Sequence, residues 1–396
     1  MAKLRIEGAK LTRLAVPLRF PYISSQVPSG RDTIYRTIIR LYGSDGQIGI
    51  GETVGAPTNF AVCSKLCEGL IGADAFDINR RRRAFSPLPF SNMDGRNGWM
   101  AYGGVEAACF DLIGHHLDVP LFELLGGRHT ERVRAAALMG AYPVEHPVTV
   151  EELEGFFADL ANVDFVVTKA KALIEEGGYG SLKIKSAGIS TAWDAAVLRA
   201  LREALGPDIA LRLDANGGFS PVEALRLGKG IEDLDLEYLE DPVSGIDAMA
   251  RLRRDLRIPF ATNMCIINFD QLPVGIRAGA ADIVLGDIFH WGGIQAFREL
   301  AAVCGTFGIG MGMHSFWEMG LATAVNLHLA AATRQVDHAI DGILWLYPDD
   351  IIAGPRMVVR EGTLPVPEGP GAGVTLDENK ITQYRIEEST MGTAPR

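Results

Sequence analysis

Polar side chains recur through the middle of this chain at a near-constant interval, and each one closes a short apolar run. Six of them lie 23 to 29 residues apart: Lys185, Asp214, Glu240, Asn263, Asp287 and His314. A strand, a helix and their two connections use about 25 residues in a (β/α)₈ barrel. The interval therefore predicts consecutive parallel strands that each present one polar side chain at the carboxyl-terminal rim, where such barrels build active sites.

The flanking segments predict a second domain beside the barrel. Residues 3–17 and 35–54 have the composition of strands, residues 60–125 have helical periodicity, and the Ser-, Pro- and Gly-rich stretch 21–31 is typical of a mobile loop. The first two barrel strands are expected at 133–139 and 182–185, and the last at 342–346. The predicted fold is α/β: a (β/α)₈-type (modified TIM) barrel over residues 133–360, an N-terminal α+β capping domain over 1–132, and a C-terminal tail over 361–396 that returns to the cap.

The composition of the chain disfavours nucleic acids and membranes as partners. The formal charge of −11 disfavours nucleic acid, whose affinity depends on Lys and Arg that neutralise phosphates. No uninterrupted apolar run reaches the ~18 residues of a membrane span. Five cysteines without scaffold spacing and a charged amino terminus favour a cytoplasmic protein. We expect a homo-oligomer that acts on a small molecule.

Three of the recurring side chains form a candidate metal site. Asp214, Glu240 and Asn263 end successive predicted strands, and their hard oxygen donors suit Mg²⁺. The alternative is that such rim residues cap helices or bridge strands. Two carboxylates cancel the charge of Mg²⁺, so the neutral Asn263 favours a substrate with more negative charge than one carboxylate.

Candidate proton carriers lie on both sides of this site. Lys183 and Lys185 point to the same side of one strand, where an interior amine beside a metal can have a lowered pKa and act as a base. A salt-bridged lysine pair is the alternative. His314 and Asp287 end neighbouring strands, and a carboxylate behind an imidazole fixes its tautomer. His290 lies near the same rim. Together these groups favour abstraction of a proton α to a carboxylate, with the enediolate stabilised by metal and cation.

With these residues in place, the chain resembles the enolase superfamily over nearly its whole length, and within it the mandelate racemase-like branch. The greatest similarity is to glucarate dehydratases. The segments that carry it are 214–217 (Asp-Ala-Asn-Gly), 238–242 (Tyr-Leu-Glu-Asp-Pro), 259–264 (Pro-Phe-Ala-Thr-Asn-Met), 289–291 (Phe-His-Trp), 314–315 (His-Ser) and 371–377 (Gly-Ala-Gly-Val-Thr-Leu-Asp).

The resemblance implies a role for each position. Asp214, Glu240 and Asn263 would bind Mg²⁺. Lys185, supported by Lys183, would be the base or charge stabiliser on one face, and His314, oriented by Asp287, the base or acid on the other. Asn216 and Ser315 would help to hold the substrate.

Two departures from that subgroup concern the distal end of the substrate. Phe316 and Trp317 follow His314 and Ser315 where glucarate dehydratases usually carry asparagines. The longer C-terminal segment with a substrate-binding arginine is also absent from this sequence.

The expected function is Mg²⁺-dependent dehydration of an acid sugar, with a diacid among the candidates, to a 2-keto-3-deoxy acid. The main alternative is a racemase or epimerase of a 2-hydroxy acid that uses the same Lys185 and His314. Cycloisomerisation is disfavoured, because it typically does without the His–Asp pair. A non-catalytic carboxylate-binding relative is the other alternative, in which Phe316 and Trp317 fill the distal pocket.

Overall fold

A computed structural model describes residues 3–85, 93–141 and 150–393. The chain begins with an antiparallel meander and a group of helices. The strands are β1 (Ile6–Ser24), β2 (Val27–Gly43) and β3 (Ile48–Val54), and the helices are α1 (Pro57–Glu68), α2 (Ile78–Phe85), α3 (Met93–Leu117) and α4 (Leu121–Leu124). Helix α3 packs directly on β3, where a Cβ at Gly49 or Gly51 would lie 2.3–2.4 Å from helix carbonyl oxygens. The glycines therefore allow the close contact between the helix and the sheet.

The barrel follows as alternating strands and helices. Its first half is β4 (Arg132–Met139), α5 (Val150–Ala158), α6 (Val163–Gly177), β5 (Ser181–Lys185), α7 (Thr191–Leu205), β6 (Ala210–Asp214), α8 (Pro221–Ile231) and β7 (Tyr238–Glu240). Its second half is α9 (Ile246–Asp255), β8 (Phe260–Thr262), α10 (Leu272–Ala278), β9 (Ile283–Gly286), α11 (Ile294–Phe307), β10 (Gly310–Met313), α12 (Gly320–Ala332) and β11 (Ile340–Gly342). The parallel strands run in the order β10-β9-β8-β7-β6-β5-β4-β11, which is a nearly closed eight-stranded barrel.

The C-terminal segment packs on both parts of the molecule. It contains β12 (Thr363–Pro365), α13 (Glu378–Tyr384) and β13 (Arg385–Gly392). Strand β12 pairs with β4 of the barrel, and β13 pairs antiparallel with β1 to complete a four-stranded sheet in the order β13-β1-β2-β3. The predicted fold class is confirmed, and no helix of the described residues is long and apolar enough to span a membrane.

Two local predictions were wrong. The structure extends β1 and β2 through most of residues 21–31, with Tyr22 opposite Arg31 and Ser24 opposite Val27. The pairing register shifts there. The shift accommodates Pro21, which has no N–H to donate, and Gly30, whose φ is +81°. The last barrel strand is Ile340–Gly342 rather than 342–346, because Leu344–Leu346 form a 3₁₀ turn. A short apolar run does not distinguish these two conformations. Residues 86–92, within the predicted helical stretch, lie outside the described residues.

Candidate active site

The register of the barrel strands places three of the predicted side chains in one row. Lys185 on β5 is opposite Asp214 on β6, which is opposite Glu240 on β7. Asn263 follows the end of β8, the next strand. Asp214 and Glu240 are fully buried and Asn263 is 6% exposed. The carboxyl ends of three neighbouring strands thus bring two carboxylates and one amide together.

The turn that carries Asn263 is fixed by a buried carboxylate. Asp241, at φ +37°, accepts hydrogen bonds from the Thr262 hydroxyl (2.6 Å) and from the backbone N–H groups of Asn263 (2.8 Å) and Met264 (3.1 Å). A positive φ outside glycine is unfavourable and persists only where the surroundings enforce it. Asp241 therefore positions Asn263 beside Glu240.

We call Lys183 and Lys185, with the carboxylates they contact, the lysine side of the site. Lys185 Nζ donates to Asp214 Oδ2 and, at 3.2 Å, to Asn216 Oδ1. Lys183 is fully buried and lies 2.6 Å from Glu240 Oε2 and 2.6 Å from Asp341 Oδ2. Burial alone would lower the pKa of Lys183, but the charges of Asp341 and Glu240 raise it well above its usual value. Glu240 and Asp341 therefore favour the charged form of Lys183, whereas the sequence allowed a lysine with a lowered pKa at this position.

Asp341 is a site residue that sequence reasoning missed. It lies on β11, accepts from Lys183, and also accepts the backbone N–H of Ser315 at 3.2 Å. The sequence predicted the last strand at 342–346, which begins one residue after Asp341, so this carboxylate was not assigned to the rim. Its distance from His314 in sequence repeats the spacing of the other rim residues, and this signal identifies it in retrospect.

The residues on β6, β7 and β8 fit a divalent cation. No described residue donates a hydrogen bond to the buried Glu240 Oε1. Burial and the adjacent negative charge of Asp214 raise the pKa of Glu240 well above its usual value. Two carboxylates this close are stable as anions only with added positive charge, and an unpaired carboxylate oxygen beside an amide oxygen is a donor set that Mg²⁺ prefers.

We call Asp287, His290 and His314 the histidine side. Asp287 Oδ1 accepts the backbone N–H groups of Phe289 and His290 at 2.6 Å, which leaves Oδ2 for the imidazoles. Oδ2 lies 3.2 Å from His290 Nδ1 and 3.5 Å from His314 Nδ1. The two rings stack with their centroids 5.8 Å apart. The structure thus gives Asp287 two histidine neighbours where the sequence predicted one.

Electrostatics favour a neutral His314 beside a charged Asp287. Burial lowers the pKa of His314 to about 4, against the opposing effect of Asp287. Burial would raise the pKa of Asp287, but His290 and His314 lower it to about 2. At neutral pH Asp287 is charged and His314 is not. With a proton on Nδ1 facing Asp287, His314 has its basic lone pair on Nε2.

Both sides face one cavity of about 320 Å³ at the carboxyl end of the barrel. Lys185 ends β5 and His314 follows β10. Two strands, β4 and β11, separate β5 from β10 on one side of the ring and four on the other, so the two residues lie across the barrel from each other. Residues of the cap line part of the cavity. The further lining residues that bear on recognition are Tyr22, Arg31, Arg96, Asn216, Asn263, His290, Ser315, Phe316 and Trp317.

The two predicted substrate-binding residues differ in availability. Asn216, at φ +48°, faces the cavity with its amide carbonyl on Lys185. The Ser315 hydroxyl donates to Glu318 Oε2 at 2.6 Å and accepts the N–H of Trp317 at 3.1 Å, so it already stabilises its own loop. Contact with substrate stays a prediction for both residues.

A buried ion pair of the cap holds the loop after β10. Arg36 Nε lies 2.6 Å from Glu52 Oε1, and Arg36 Nη1 donates to the carbonyl of Phe316 at 2.8 Å. Glu52 also accepts the N–H groups of Met319 and Ala322, each at 2.9 Å. The loop with Ser315, Phe316 and Trp317 is therefore positioned by the cap as much as by the barrel.

Comparisons with known proteins identify the family. The model of the mandelate racemase / muconate lactonizing enzyme N-terminal domain matches residues 9–126, and the enolase C-terminal domain-like model matches residues 166–380. The chain belongs to the enolase superfamily.

Individual members of the superfamily differ in the reaction that their names give. A probable glucarate dehydratase of Streptomyces coelicolor is 31% identical over 87% of this chain and 83% of its own length. A D-galactarolactone cycloisomerase of Agrobacterium fabrum is 29% identical over 97% of this chain and all of its own. An N-succinylamino acid racemase of Thermus thermophilus is also 29% identical, over 94% of this chain and 95% of its own length.

Solved structures of the superfamily superpose closely. An enolase of Streptomyces coelicolor described as a putative sugar isomerase is 36% identical, covers 96% of each chain and has a TM-score of 0.88. An enolase of Pseudomonas fluorescens solved with magnesium, potassium and tartrate is 29% identical, covers 97% of this chain and 92% of its own, and has a TM-score of 0.84. The family and the fold follow from these matches, whereas the individual reaction does not.

Proposed function

We propose that this chain is a Mg²⁺-dependent acid-sugar dehydratase that removes the proton α to a carboxylate and eliminates the β-hydroxyl. One observation carries the proposal: Lys185 and His314 face the same cavity from opposite sides, and Asp214, Glu240 and Asn263 end or directly follow β6, β7 and β8, in the longer arc of the barrel between them. This arrangement suits a substrate whose carboxylate is held at the row of oxygen donors, with its α carbon between two proton carriers.

Mg²⁺ bound by Asp214, Glu240 and Asn263 would supply positive charge to the substrate carboxylate and so acidify the α proton. His314, neutral at rest, takes that proton from C2. The Lys185 ammonium group, held by Asp214 and Asn216, stabilises the negative charge that moves onto the carboxylate oxygens. His314 then returns the proton to the 3-hydroxyl, which leaves as water, and the enol becomes a 2-keto-3-deoxy acid.

The dehydratase names among the relatives support this reaction, and the racemase names support a second candidate. In a racemase or epimerase, Lys185 and His314 would exchange the α proton from opposite faces of C2 without loss of the hydroxyl. One proton carrier on each side of the cavity fits that candidate as well as the dehydratase, and only loss of the hydroxyl separates the two reactions. The non-catalytic alternative has less support, because Phe316 and Trp317 line the cavity instead of filling it.

A screen of aldonic, uronic and aldaric acids with Mg²⁺ tests the proposal. The keto product is followed as its semicarbazone by ultraviolet absorbance, and α-proton exchange in D₂O is followed by NMR. We expect a keto acid from at least one substrate, and loss of it in Lys185→Ala and His314→Ala. Exposed residues provide matched controls, Lys171→Ala and His129→Asn, which should keep full activity.

Epimerised substrate without keto acid would replace the proposal with the racemase. Binding of acids, seen by thermal shift, without exchange or product would replace it with the non-catalytic relative.

A further inference from the structure

The wall of the cavity carries positive charge that the proposed chemistry at C2 does not use. Arg31 and Arg96 line it in addition to Lys185, and none of the described lining residues is Asp or Glu. Asp214 and Glu240 are fully buried and are not among the lining residues, and Mg²⁺ would cancel their charge. A substrate with a single carboxylate would leave the charges of Arg31 and Arg96 without a carboxylate partner.

Neither arginine has a carboxylate partner among the described residues. Arg96 Nη2 lies 2.8 Å from His290 Nε2, and partial burial lowers the pKa of Arg96 although Asp287 opposes that effect. The Arg31 guanidinium lies over the ring of Trp317, 5.4 Å from its centroid. Most of the N–H donors on both side chains remain available to a ligand, and a guanidinium fork matches a carboxylate in shape and charge.

Arg96 is held in place by the histidine side. Arginine only donates hydrogen bonds, so His290 Nε2 must accept, and the ring proton must be on Nδ1, which faces Asp287 Oδ2 at 3.2 Å. His290 is therefore a positioning residue that joins Arg96 to the carboxylate beside His314.

From these contacts we propose that Arg31 and Arg96 form the site for a second, distal carboxylate of the substrate, with His290 orienting Arg96. The proposal rests on the proposed function and restricts it to dicarboxylic acid sugars. The indole of Trp317 and the imidazole of His290 replace carboxylates as supports, so both guanidinium groups keep their net charge for the ligand.

Binding and turnover measurements on matched acids test the assignment. Galactarate and galactonate differ only at the distal carbon, which is a carboxylate in the first and a hydroxymethyl group in the second, so calorimetry of both with Mg²⁺ isolates that end. Arg96→Gln and Arg31→Gln should each weaken galactarate binding about tenfold or more, as expected for a lost charge-assisted hydrogen bond, and leave galactonate unchanged. His290→Asn should weaken galactarate binding less, and Arg226→Gln on the exposed face of α8 is the control.

If neither diacid nor monoacid is turned over, tartrate and threonate, which differ only at the distal carbon, replace them as binding probes, so the arginine site is tested even where the proposed reaction fails. On a turned-over diacid, the arginine variants should raise KM and leave kcat within about twofold. Equal loss of affinity for both acids, or no loss for either, would overturn the proposal. Preference of the wild type for a phosphorylated aldonic acid over the diacid would overturn the carboxylate as the distal group.

Discussion

On the lysine side of the cavity each ammonium group lies against carboxylates, whereas on the histidine side two imidazoles share one carboxylate. Lys183 can remain charged without any access to solvent because Glu240 and Asp341 each approach it to 2.6 Å. Burying His314 costs less free energy than burying Lys183, because burial lowers the pKa of the imidazole and leaves it neutral. One side of the cavity therefore provides fixed positive charge, and the other provides a base.

Under the proposed function, this difference separates the tasks of Lys185, predicted as base or charge stabiliser, and His314, predicted as base or acid. In the proposed reaction the neutral imidazole of His314 would accept the α proton, whereas Lys185, in contact with Asp214, would stabilise the product of that step. The cap adds to both sides, since Arg36 and Glu52 position the loop after β10 and Tyr22 and Arg31 line the cavity.

The largest effects should come from removing either proton carrier. His314→Asn and Lys185→Met should each lower kcat by about 10²- to 10⁴-fold. Exchange of the α proton with D₂O separates their tasks: the lysine variant should keep slow exchange and the histidine variant should lose it. Exchange that survives in His314→Asn would make Lys185 the base and remove the distinction between the two sides.

Asp287→Asn should lower kcat by about 100-fold, less than loss of the imidazole itself. The amide removes the anion that orients His314 Nδ1 and stabilises the imidazolium form after proton transfer. KM should change little, because Asp287 is buried beneath the histidines and does not line the cavity. A large rise in KM with unchanged kcat would mean that Asp287 supports the substrate site and not the base.

Asn263→Asp should weaken substrate binding by about tenfold while Mg²⁺ affinity stays equal or rises. A third carboxylate at the metal site leaves net negative charge that repels an acidic substrate. Calorimetry with Mg²⁺ alone measures the affinity for the metal, and calorimetry with the substrate at saturating Mg²⁺ measures the affinity for the substrate. Weaker metal binding with unchanged substrate binding would contradict the charge count.

The smallest expected effect is on the pH profile. With a His314 pKa of about 4 in the fold, roughly nine tenths of the base is neutral at pH 5, so kcat/KM at saturating Mg²⁺ should be nearly flat from pH 7 to 5 and fall below that. An acid limb near 6.5, the ordinary value for histidine, would show that His314 is solvated. The same lowered pKa means that the unfolded chain takes up the proton first, so stability is lost as pH falls from about 6.5 to 4.

The sequence predicted the elements whose period is long and regular. The spacing from Lys185 to His314 located the strands from β5 to β10, because each strand of a barrel must end in the same rim. It did not reveal Asp341, whose strand has three residues and is followed by an apolar turn that resembles a better strand. It also missed Arg96, a single arginine in a Gly-containing helix, because only the tertiary fold brings that helix against His290.

The central claim is that a divalent ion lies between Lys185 and His314 on Asp214, Glu240 and Asn263. A crystal structure with Mg²⁺ and a hydroxamate analogue of an acid sugar tests it most directly. The account predicts metal density on those three side chains, with Lys185 Nζ and His314 Nε2 on opposite faces of the atom that corresponds to C2. Asp287, His290 and His314 offer a competing set of ligand atoms within 4.8 Å of one another. Metal density at that set, with the carboxylates of β6 and β7 left to the lysines, would contradict the account.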